Sequence, residues 1–348
     1  MTTLLRACGF ALALFAMTGA GPVLAQTGSS QDPDAQAQQE RRVTQPGNNA
    51  PVWREVRSGN QGYTSLPGRE TGVLVQSAGE TWRQIRNGPV TFYGGWLVVI
   101  VALVLAAIYF ALGPVKLHEK PTGRMIERFT LAERWAHWVM GISFVVLGVT
   151  GLIILFGKHV LLPIIGYTLF AWLSALAKNL HNFVAPLFAV SLLVFIIMFI
   201  KDNLPKAYDF TWFARAPGFF TGRHLPSGRF NAGEKTWFWL GVVILSLALV
   251  VSGAILLFPN FEQVRLTMQQ ASVVHMVSAV LVIAASLGHI YLGTIGVDGA
   301  YRAMRDGVVD EEWAKEHHEY WYNEVKGGRK TAPGGAVPAG APHMREKP

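Results

Sequence analysis

Residues 271–293 read ASVVHMVSAVLVIAASLGHIYLG, an apolar run that contains two histidines, His275 and His289. A helix needs about 20 apolar residues to cross a hydrocarbon core of about 30 Å, and this run is long enough. Ionisable side chains are costly inside such a helix and tend to mark function. Two imidazoles in one membrane helix therefore need a chemical reason.

The whole chain has the composition of a helical membrane protein. Of its 348 residues, 51% are hydrophobic and only 15% are charged, which is too apolar for an ordinary soluble domain. Five apolar segments are present: 92–112, 137–156, 183–200, 237–258 and 271–295. We predict an all-α integral membrane bundle and expect no nucleic-acid partner.

The N-terminal region differs from the rest of the chain. Residues 1–25 combine Arg6, an apolar centre and a terminal Ala25, the pattern of a secretory signal peptide; an uncleaved membrane helix is the alternative. The predicted organisation is a signal peptide (1–25), a partly disordered periplasmic extension (26–90), an extra transmembrane helix (91–113), a four-helix core (114–296) and a cytoplasmic tail (297–348).

Lys and Arg alternate between the two sides of the apolar segments. Five lie in 114–136 and six in 201–236, against two in 157–180 and one in 259–270, and the tail after 296 has eight. Cytoplasmic loops of membrane proteins carry the excess of positive charge. We therefore predict a multi-pass protein of the bacterial inner membrane with a periplasmic N-terminus and a cytoplasmic C-terminus.

Four of the ten histidines lie within or beside apolar segments: His137, His181, His275 and His289. This topology puts His137 and His289 near the cytoplasmic surface, and we call them the inner pair. It puts His181 and His275 near the periplasmic surface, and we call them the outer pair. The other six fall in loops or tails and are expected to be solvent-exposed: His118, His159, His224, His317, His318 and His343.

The spacing of His275 and His289 suits two stacked cofactors. Fourteen residues are close to four helical turns, so the two side chains share a face and lie about 21 Å apart. The single cysteine, Cys8, excludes covalently attached haem and Cys-ligated clusters downstream. Two haems b fit better than zinc, because no carboxylate or cysteine joins either pair. For any one histidine, interhelical hydrogen bonding is the simpler alternative.

Charged and small residues near these histidines have two interpretations each. Arg124, Arg128 and Arg134 could pair with haem propionates at the inner surface, or serve only as positive-inside charge. The small residues at 148–151 (GVTG) and 252–253 (SG) leave room for a flat ring, or are plain packing positions.

At these residues the chain resembles the membrane-anchoring cytochrome b (gamma) subunits of respiratory formate dehydrogenase. The resemblance covers about 120–326. The matching motifs are ERWAHW around His137, NLHNF around His181, RFNAGEK at 229–235, VVHMVS around His275, GHIYLG around His289 and EEWAKEHHEYWYNEV at 311–325.

The resemblance implies roles for these residues and partners for the chain. The four matching histidines would hold two haems b. Asn231, Ala232 and Gly233 would line a pocket for menaquinone or ubiquinone, bordered by His289. A molybdenum or tungsten catalytic subunit and an iron–sulfur subunit would be the partners. This chain would then be the non-catalytic, electron-transferring and quinone-reducing subunit, surrounded by membrane lipid. Glu234 stands where relatives can carry Gln, and is either a proton-delivery group or a solvated carboxylate at a helix start.

Two other functions remain open from the residues. The cytochrome b anchor of a hydrogenase or a thiosulfate reductase would use the same two-haem arrangement with a different catalytic partner. A haem-free membrane anchor, in which the histidines only pack, is the second alternative. A transporter fits less well, because the sequence shows no inverted repeat and no broken helix with paired charges.

Overall fold

The computed structural model describes residues 40, 77–216, 225–259, 261 and 263–327. The predicted signal peptide, the extension through residue 76 (Glu40 apart) and residues 328–348 of the tail lie outside the described residues, as do His224 and His343.

The described part of the chain is almost entirely helical. Its helices and strands are, in order, α1 Ser77–Ile85, the π-helical segment Arg86–Val90, α2 Thr91–Leu112, β1 Met125–Glu127, α3 Leu131–Val160, α4 Leu162–Phe199, α5 Ala207–Arg215, α6 Ala232–Thr236, the π-helical segment Trp237–Leu245, α7 Ser246–Leu257, α8 Arg265–Tyr291, the π-helical segment Leu292–Gly296, α9 Ala300–Asp306, β2 Val308–Asp310, α10 Glu311–His317 and α11 Glu319–Gly327.

Five helical stretches within the described residues are long and apolar enough to cross a membrane, which confirms the five segments predicted from the sequence. They are the first span Ala78–Leu112, the second span Leu131–Val160, the third span Leu162–Phe199, the fourth span Ala232–Leu257 and the fifth span Arg265–Gly296.

The second span begins before its apolar run. Thr130 accepts a hydrogen bond from the backbone N–H of Glu133, and the Glu133 carboxylate accepts one from the N–H of Thr130. This reciprocal capping box satisfies backbone donors that a helix start otherwise leaves unpaired. The helix therefore starts at Leu131, and His137 lies in its second turn rather than at its first residue.

The third span also begins earlier than hydropathy predicts. The apolar segment starts at residue 183, whereas α4 starts at Leu162. The helix is kinked at Gly166, whose backbone is not helical (φ 75°). Lys178 and Asn179 interrupt the apolar run, yet the helix continues through them, because its backbone hydrogen bonds do not depend on side-chain polarity. His181 therefore lies within a helix, although the apolar segment identified from the sequence begins only at residue 183.

The spans pack in two hairpins: the second lies along the third, and the fourth lies along the fifth. The first span packs on the fifth. Gly94 permits this close approach, because a Cβ there would meet Cγ2 of Val280 at 3.1 Å. The extra N-terminal helix, whose role the sequence left open, thus supports the span that carries both His275 and His289.

Beyond the fifth span the chain folds back over one end of the bundle. Strand β2 pairs antiparallel with β1, so that Ile126 lies opposite Val309. Trp313 is buried there in the same apolar cluster as Phe129. We call β1 and residues 297–327 together the cap. The chain predicted as a tail from residue 297 is therefore folded through Gly327.

Glu311 of the cap has three polar partners. Its carboxylate forms ion pairs with Lys326 and Arg124 and accepts a hydrogen bond from Tyr322 Oη at 2.8 Å. The hydrogen bonds from Lys326, Arg124 and Tyr322 lower the pKa of Glu311 to about 2. The carboxylate therefore stays charged, and holds its partners, throughout the neutral range.

His318 corrects the expectation that all six loop and tail histidines are solvent-exposed. Its side chain is 2% exposed, because it packs on Trp313 and Trp321 and its Nδ1 donates to the carbonyl oxygen of Gly228 at 2.8 Å. His118 and His159 are exposed as expected, and His317 is half-buried.

Candidate functional site

The four membrane histidines meet in two pairs. In the inner pair, His137 of the second span and His289 of the fifth have ring centres 6.2 Å apart. In the outer pair, His181 of the third span and His275 of the fifth also have ring centres 6.2 Å apart. These are the pairs that depth in the membrane predicted. Each pair joins imidazoles from two spans, and the fifth span contributes to both.

The outer pair is oriented by hydroxyl groups. Thr150 of the second span lies with its Oγ1 2.8 Å from Nδ1 of His181. The same hydroxyl donates to its own helix, to the carbonyl oxygens of Val146 and Leu147. Nδ1 of His181 is therefore the donor toward Thr150, and Nε2 is left with a free lone pair.

His275 is held in the same way from the fourth span. Its Nδ1 lies 3.1 Å from Oγ of Ser252 and 3.2 Å from the carbonyl oxygen of Leu249. A carbonyl oxygen can only accept, so Nδ1 carries the hydrogen and Nε2 is again free to bind a metal. Metal-binding histidines usually have their second nitrogen fixed by such a partner.

A glycine follows each of these hydroxyl residues and leaves space for the imidazole. A Cβ at Gly151 would lie 3.5 Å from Cε1 of His181, and a Cβ at Gly253 would lie 3.2 Å from Cε1 of His275. The TG of GVTG and the SG at 252–253 therefore form two cradles, each made of one hydroxyl residue and one glycine. The second cradle is the tighter, because 3.5 Å is an ordinary van der Waals distance whereas at 3.2 Å the imidazole would have to shift.

The inner pair has different surroundings. The indole of Trp237 stacks on the His289 ring with centres 5.1 Å apart and planes 15° apart. Trp237 opens a π-helical segment, and Gly241 one turn later makes room for its ring, because a Cβ there would overlap the indole. Nδ1 of His137 is buried and has no hydrogen-bond partner among the described residues.

The geometry of both pairs fits one metal between two imidazoles. A metal–imidazole bond of about 2 Å, plus roughly 1 Å from the nitrogen to the ring centre, gives about 6 Å between centres when doubled. Both measured separations are 6.2 Å. Among the described residues, no group of three or more His, Cys, Asp or Glu side chains is placed to hold a metal. Two nitrogen donors alone suit haem iron, whose macrocycle supplies the other four, and not four-coordinate zinc.

The three candidate propionate-binding arginines have protein partners. Arg124 pairs with Glu311 in the cap. Arg128 donates to Glu234 at 3.2 Å. Arg134 donates from Nη1 to the carbonyl oxygen of Arg305 at 2.7 Å, while its buried Nε has no partner in the described part of the chain. Nε of Arg128 is likewise buried without a partner among the described residues. Of the three, only Arg134 lies in the same helix as His137.

Asn231, Ala232 and Gly233 form the start of the fourth span. Asn231 caps the helix by accepting from the N–H of Glu234, and the Glu234 carboxylate accepts from the N–H of Asn231 at 2.8 Å. Ala232 is buried, and Gly233 lies against the Trp212 ring. Glu234 is thus a capping residue paired with Arg128, and not a free solvated carboxylate. The helix continues to Trp237, which contacts His289.

Thr150, Ser252 and Trp237 were not predicted as site residues from the sequence. A signal for the first two exists, because a hydroxyl residue directly before glycine occurs once in the second span and once in the fourth. No comparable pattern singles out Trp237, since its contact with His289 depends on the π-helical segment.

The chain is similar to known membrane cytochromes b. The family described as prokaryotic cytochrome b561 matches residues 128–307, which include all four paired histidines. The chain is 32% identical over 205 residues to the cytochrome b556(fdo) subunit of formate dehydrogenase from Escherichia coli (strain K12), covering 58% of this chain and 93% of the relative. It is 26% identical over 214 residues to the nitrate-inducible cytochrome b556(Fdn) subunit of the same organism, with the same coverage. It is 27% identical over 213 residues to the formate dehydrogenase cytochrome b556 subunit of Haemophilus influenzae, covering 58% of this chain and 83% of the relative.

Proposed function

The chain belongs to the prokaryotic cytochrome b561 family, and from that premise we propose that it is the membrane-anchoring, dihaem cytochrome b subunit of a formate dehydrogenase that reduces quinone. It is a multi-pass membrane protein, and its relatives are named as formate dehydrogenase subunits.

The observation that carries this proposal is the pair of 6.2 Å imidazole separations. His137 and His289 would hold one haem b, and His181 and His275 the other. Haem b supplies one-electron redox chemistry when bound. Because each haem would be held by two imidazoles of the chain, its iron would be closed to oxygen and substrate, which suits electron transfer.

The partners follow from the relatives. Formate would be oxidised by a molybdenum or tungsten catalytic subunit, and electrons would reach this chain through an iron–sulfur subunit in the periplasm. They would enter at the outer pair and leave at the inner pair. The Lys and Arg distribution supports this orientation, with the exported N-terminus outside and the cap in the cytoplasm.

The acceptor would be menaquinone or ubiquinone, bound by Asn231, Ala232 and Gly233 next to the inner pair. Reduction of a quinone to the quinol takes two electrons and two protons. A pocket at the cap end would draw both protons from the cytoplasm. Each electron moving inward works against about 2.3 kcal/mol per 100 mV of membrane potential, so the reaction stores energy as proton-motive force.

Purification of the detergent-solubilised complex tests this function. We expect a molybdopterin subunit and an iron–sulfur subunit to co-purify, a b-type spectrum on reduction by formate, and reduction of a short-chain quinone. A co-purifying nickel–iron subunit would redirect the assignment to a hydrogenase anchor. A chain that lacks a Soret band would instead indicate a haem-free anchor.

A further inference from the structure

The starts of the second and fourth spans repeat one short pattern. Residues 128–133 read RFTLAE and residues 229–234 read RFNAGE. Each has Arg, then Phe, then a cap residue, then Glu three positions after the cap, and both form complete capping boxes. A capping box requires only the cap residue and the Glu. The preceding Arg and Phe therefore need a separate explanation.

The repeat extends into the membrane. The hydroxyl residue of each cradle follows its cap residue by 20 positions in the second span (150 − 130) and by 21 in the fourth (252 − 231). The fourth span contains the π-helical segment Trp237–Leu245, and such a segment accommodates one extra residue in a helix. The two spans are thus equivalent from the cap to the cradle.

The two repeated segments bind each other crosswise. Arg128 donates from Nη2 to the carbonyl oxygen of Arg229 at 3.0 Å and to Glu234 at 3.2 Å. Arg229 donates from Nη2 to the carbonyl oxygen of Arg128 at 2.6 Å and to Glu133 at 2.8 Å. Each arginine thus contacts the capping glutamate of the other span and not that of its own.

The two phenylalanines form the centre of this contact. The rings of Phe129 and Phe230 lie 5.9 Å apart. The Arg128 guanidinium lies 5.1 Å from the first ring and 5.9 Å from the second, and Arg229 lies at 5.2 Å and 5.8 Å. We call these two segments, 128–133 and 229–234, the crossed clasp.

Burial of Arg128 strengthens the contacts of the crossed clasp. Arg128 is 5% exposed, stands over Trp313 of the cap at 4.9 Å, and has its pKa lowered by burial. Charge-assisted hydrogen bonds are stronger away from water, and removing one partner leaves the other charge buried and uncompensated. Glu234, with 38% of its side chain exposed, is the one partner that can be changed with little loss of packing.

We infer that the crossed clasp positions the quinone-binding start of the fourth span, Asn231–Gly233, and the His137 helix of the second span, with each arginine acting on the span to which it does not belong. This inference rests on the proposed function. Arg128 holds the helix start Asn231–Gly233 through Glu234. Arg229 holds the second span through Glu133, which lies one turn before His137. Glu234 is thereby a positioning residue and not the proton donor to quinone.

Steady-state kinetics of Glu234→Gln in the intact complex test this role. Gln retains the capping box but loses the charge that Arg128 binds. We expect the KM for a short-chain ubiquinone or menaquinone to rise about tenfold, the effect of one lost charge-assisted hydrogen bond, while kcat and its pH profile stay as in the wild type. A fall in kcat with an altered pH profile and an unchanged KM would overturn the inference, because that result identifies a proton donor.

Variants of the two arginines and of Glu133 test whether each arginine acts on the other span. Arg128→Lys should raise the KM for quinone as Glu234→Gln does. Glu133→Gln and Arg229→Lys should instead shift the midpoint potential of the inner haem and leave the KM unchanged. The inference is wrong if Arg128→Lys shifts the inner potential while Arg229→Lys raises the KM. Failure of the wild-type complex to reduce quinone would contradict the proposed function itself. The wild-type assay therefore distinguishes that failure from a failure of the inference, which is judged from the variants.

Discussion

Thr150 of the second span accepts a hydrogen bond at 2.8 Å from Nδ1 of His181 in the third. The contact occupies Nδ1 and leaves Nε2 of His181 free to bind a metal. A partner of this kind makes the imidazole a more electron-rich ligand. It thereby favours the oxidised state of a bound haem.

Replacing Thr150 by Val should raise the midpoint potential of the outer haem and weaken haem retention there by about tenfold. Redox titration of the purified complex measures both. Ser143→Ala is the matched control, because Ser143 is a buried hydroxyl of the same helix whose hydrogen bonds, within the described residues, go to the carbonyl oxygens of Val139 and Met140 alone. Equal shifts in the two variants would show that the contact with His181 has no special role.

Replacing Gly253 by Val should displace His275. The added Cβ would lie 3.2 Å from Cε1 of the imidazole, and the branched methyl groups would crowd it further. We expect outer-haem occupancy to fall by about tenfold while the inner haem is kept. At Gly148 the nearest described atom to an added Cβ would be Cγ1 of Ile283, at 3.9 Å, so Gly148→Ala should retain both haems. A Gly253→Val protein with full haem content would contradict the claim that Gly253 leaves the space that His275 needs.

Replacing Trp237 by Leu should lower the midpoint potential of the inner haem. Loss of the indole stacked on His289 admits water, and water stabilises the more positively charged oxidised haem. The outer potential should not change. Leu240→Ala serves as the control, because Leu240 lies in the same π-helical segment and its side chain is exposed. An unchanged inner potential in Trp237→Leu would show that the stack does not shield the site.

The sequence predicts the pairing of the histidines because depth depends only on topology and helical rise. His137 and His289 share one depth, as do His181 and His275, whatever the details of packing. The same hydropathy pattern misplaces the start of the third span, since it records side-chain polarity while the helix depends on backbone hydrogen bonds. It also predicts exposure for His318, whose burial depends on distant Trp313 and Trp321.

Contacts between separate spans could not be predicted in the same way. The crossed clasp is visible in the sequence as RFTLAE and RFNAGE, but which arginine binds which glutamate depends on how the two helix starts face each other. The stack of Trp237 on His289 depends on a π-helical segment, which the apolar sequence around it does not signal.

His318 makes the stability of the cap sensitive to acid. Burial is the main reason that the pKa of His318 lies well below its usual value, and the charge of nearby Arg128 lowers the pKa further. The unfolded cap binds a proton at His318 below about pH 6.5 and the folded cap does not. The free energy of unfolding of the cap therefore falls by about 1.4 kcal/mol per pH unit below that value.

His318→Asn should remove this acid sensitivity, because the Asn amide can donate to the carbonyl oxygen of Gly228 in place of Nδ1 and does not titrate. Hydrogen exchange of helix Glu311–His317, corrected for intrinsic rates, measures the acid sensitivity of the cap. Protection should decrease from about pH 7 to about pH 5 in the wild type and stay nearly level in His318→Asn. Parallel pH dependences would refute the assignment to His318.

The haem-to-chain ratio, measured in the purified complex together with a reductive titration, tests the central claim most directly. Two haems b per chain and two b-type components are expected in the wild type. His275→Ala should retain one haem and lose the outer component, and His137→Ala should retain one haem and lose the inner component. Two haems and both components at full amplitude in His275→Ala would contradict the assignment of these histidines as ligands.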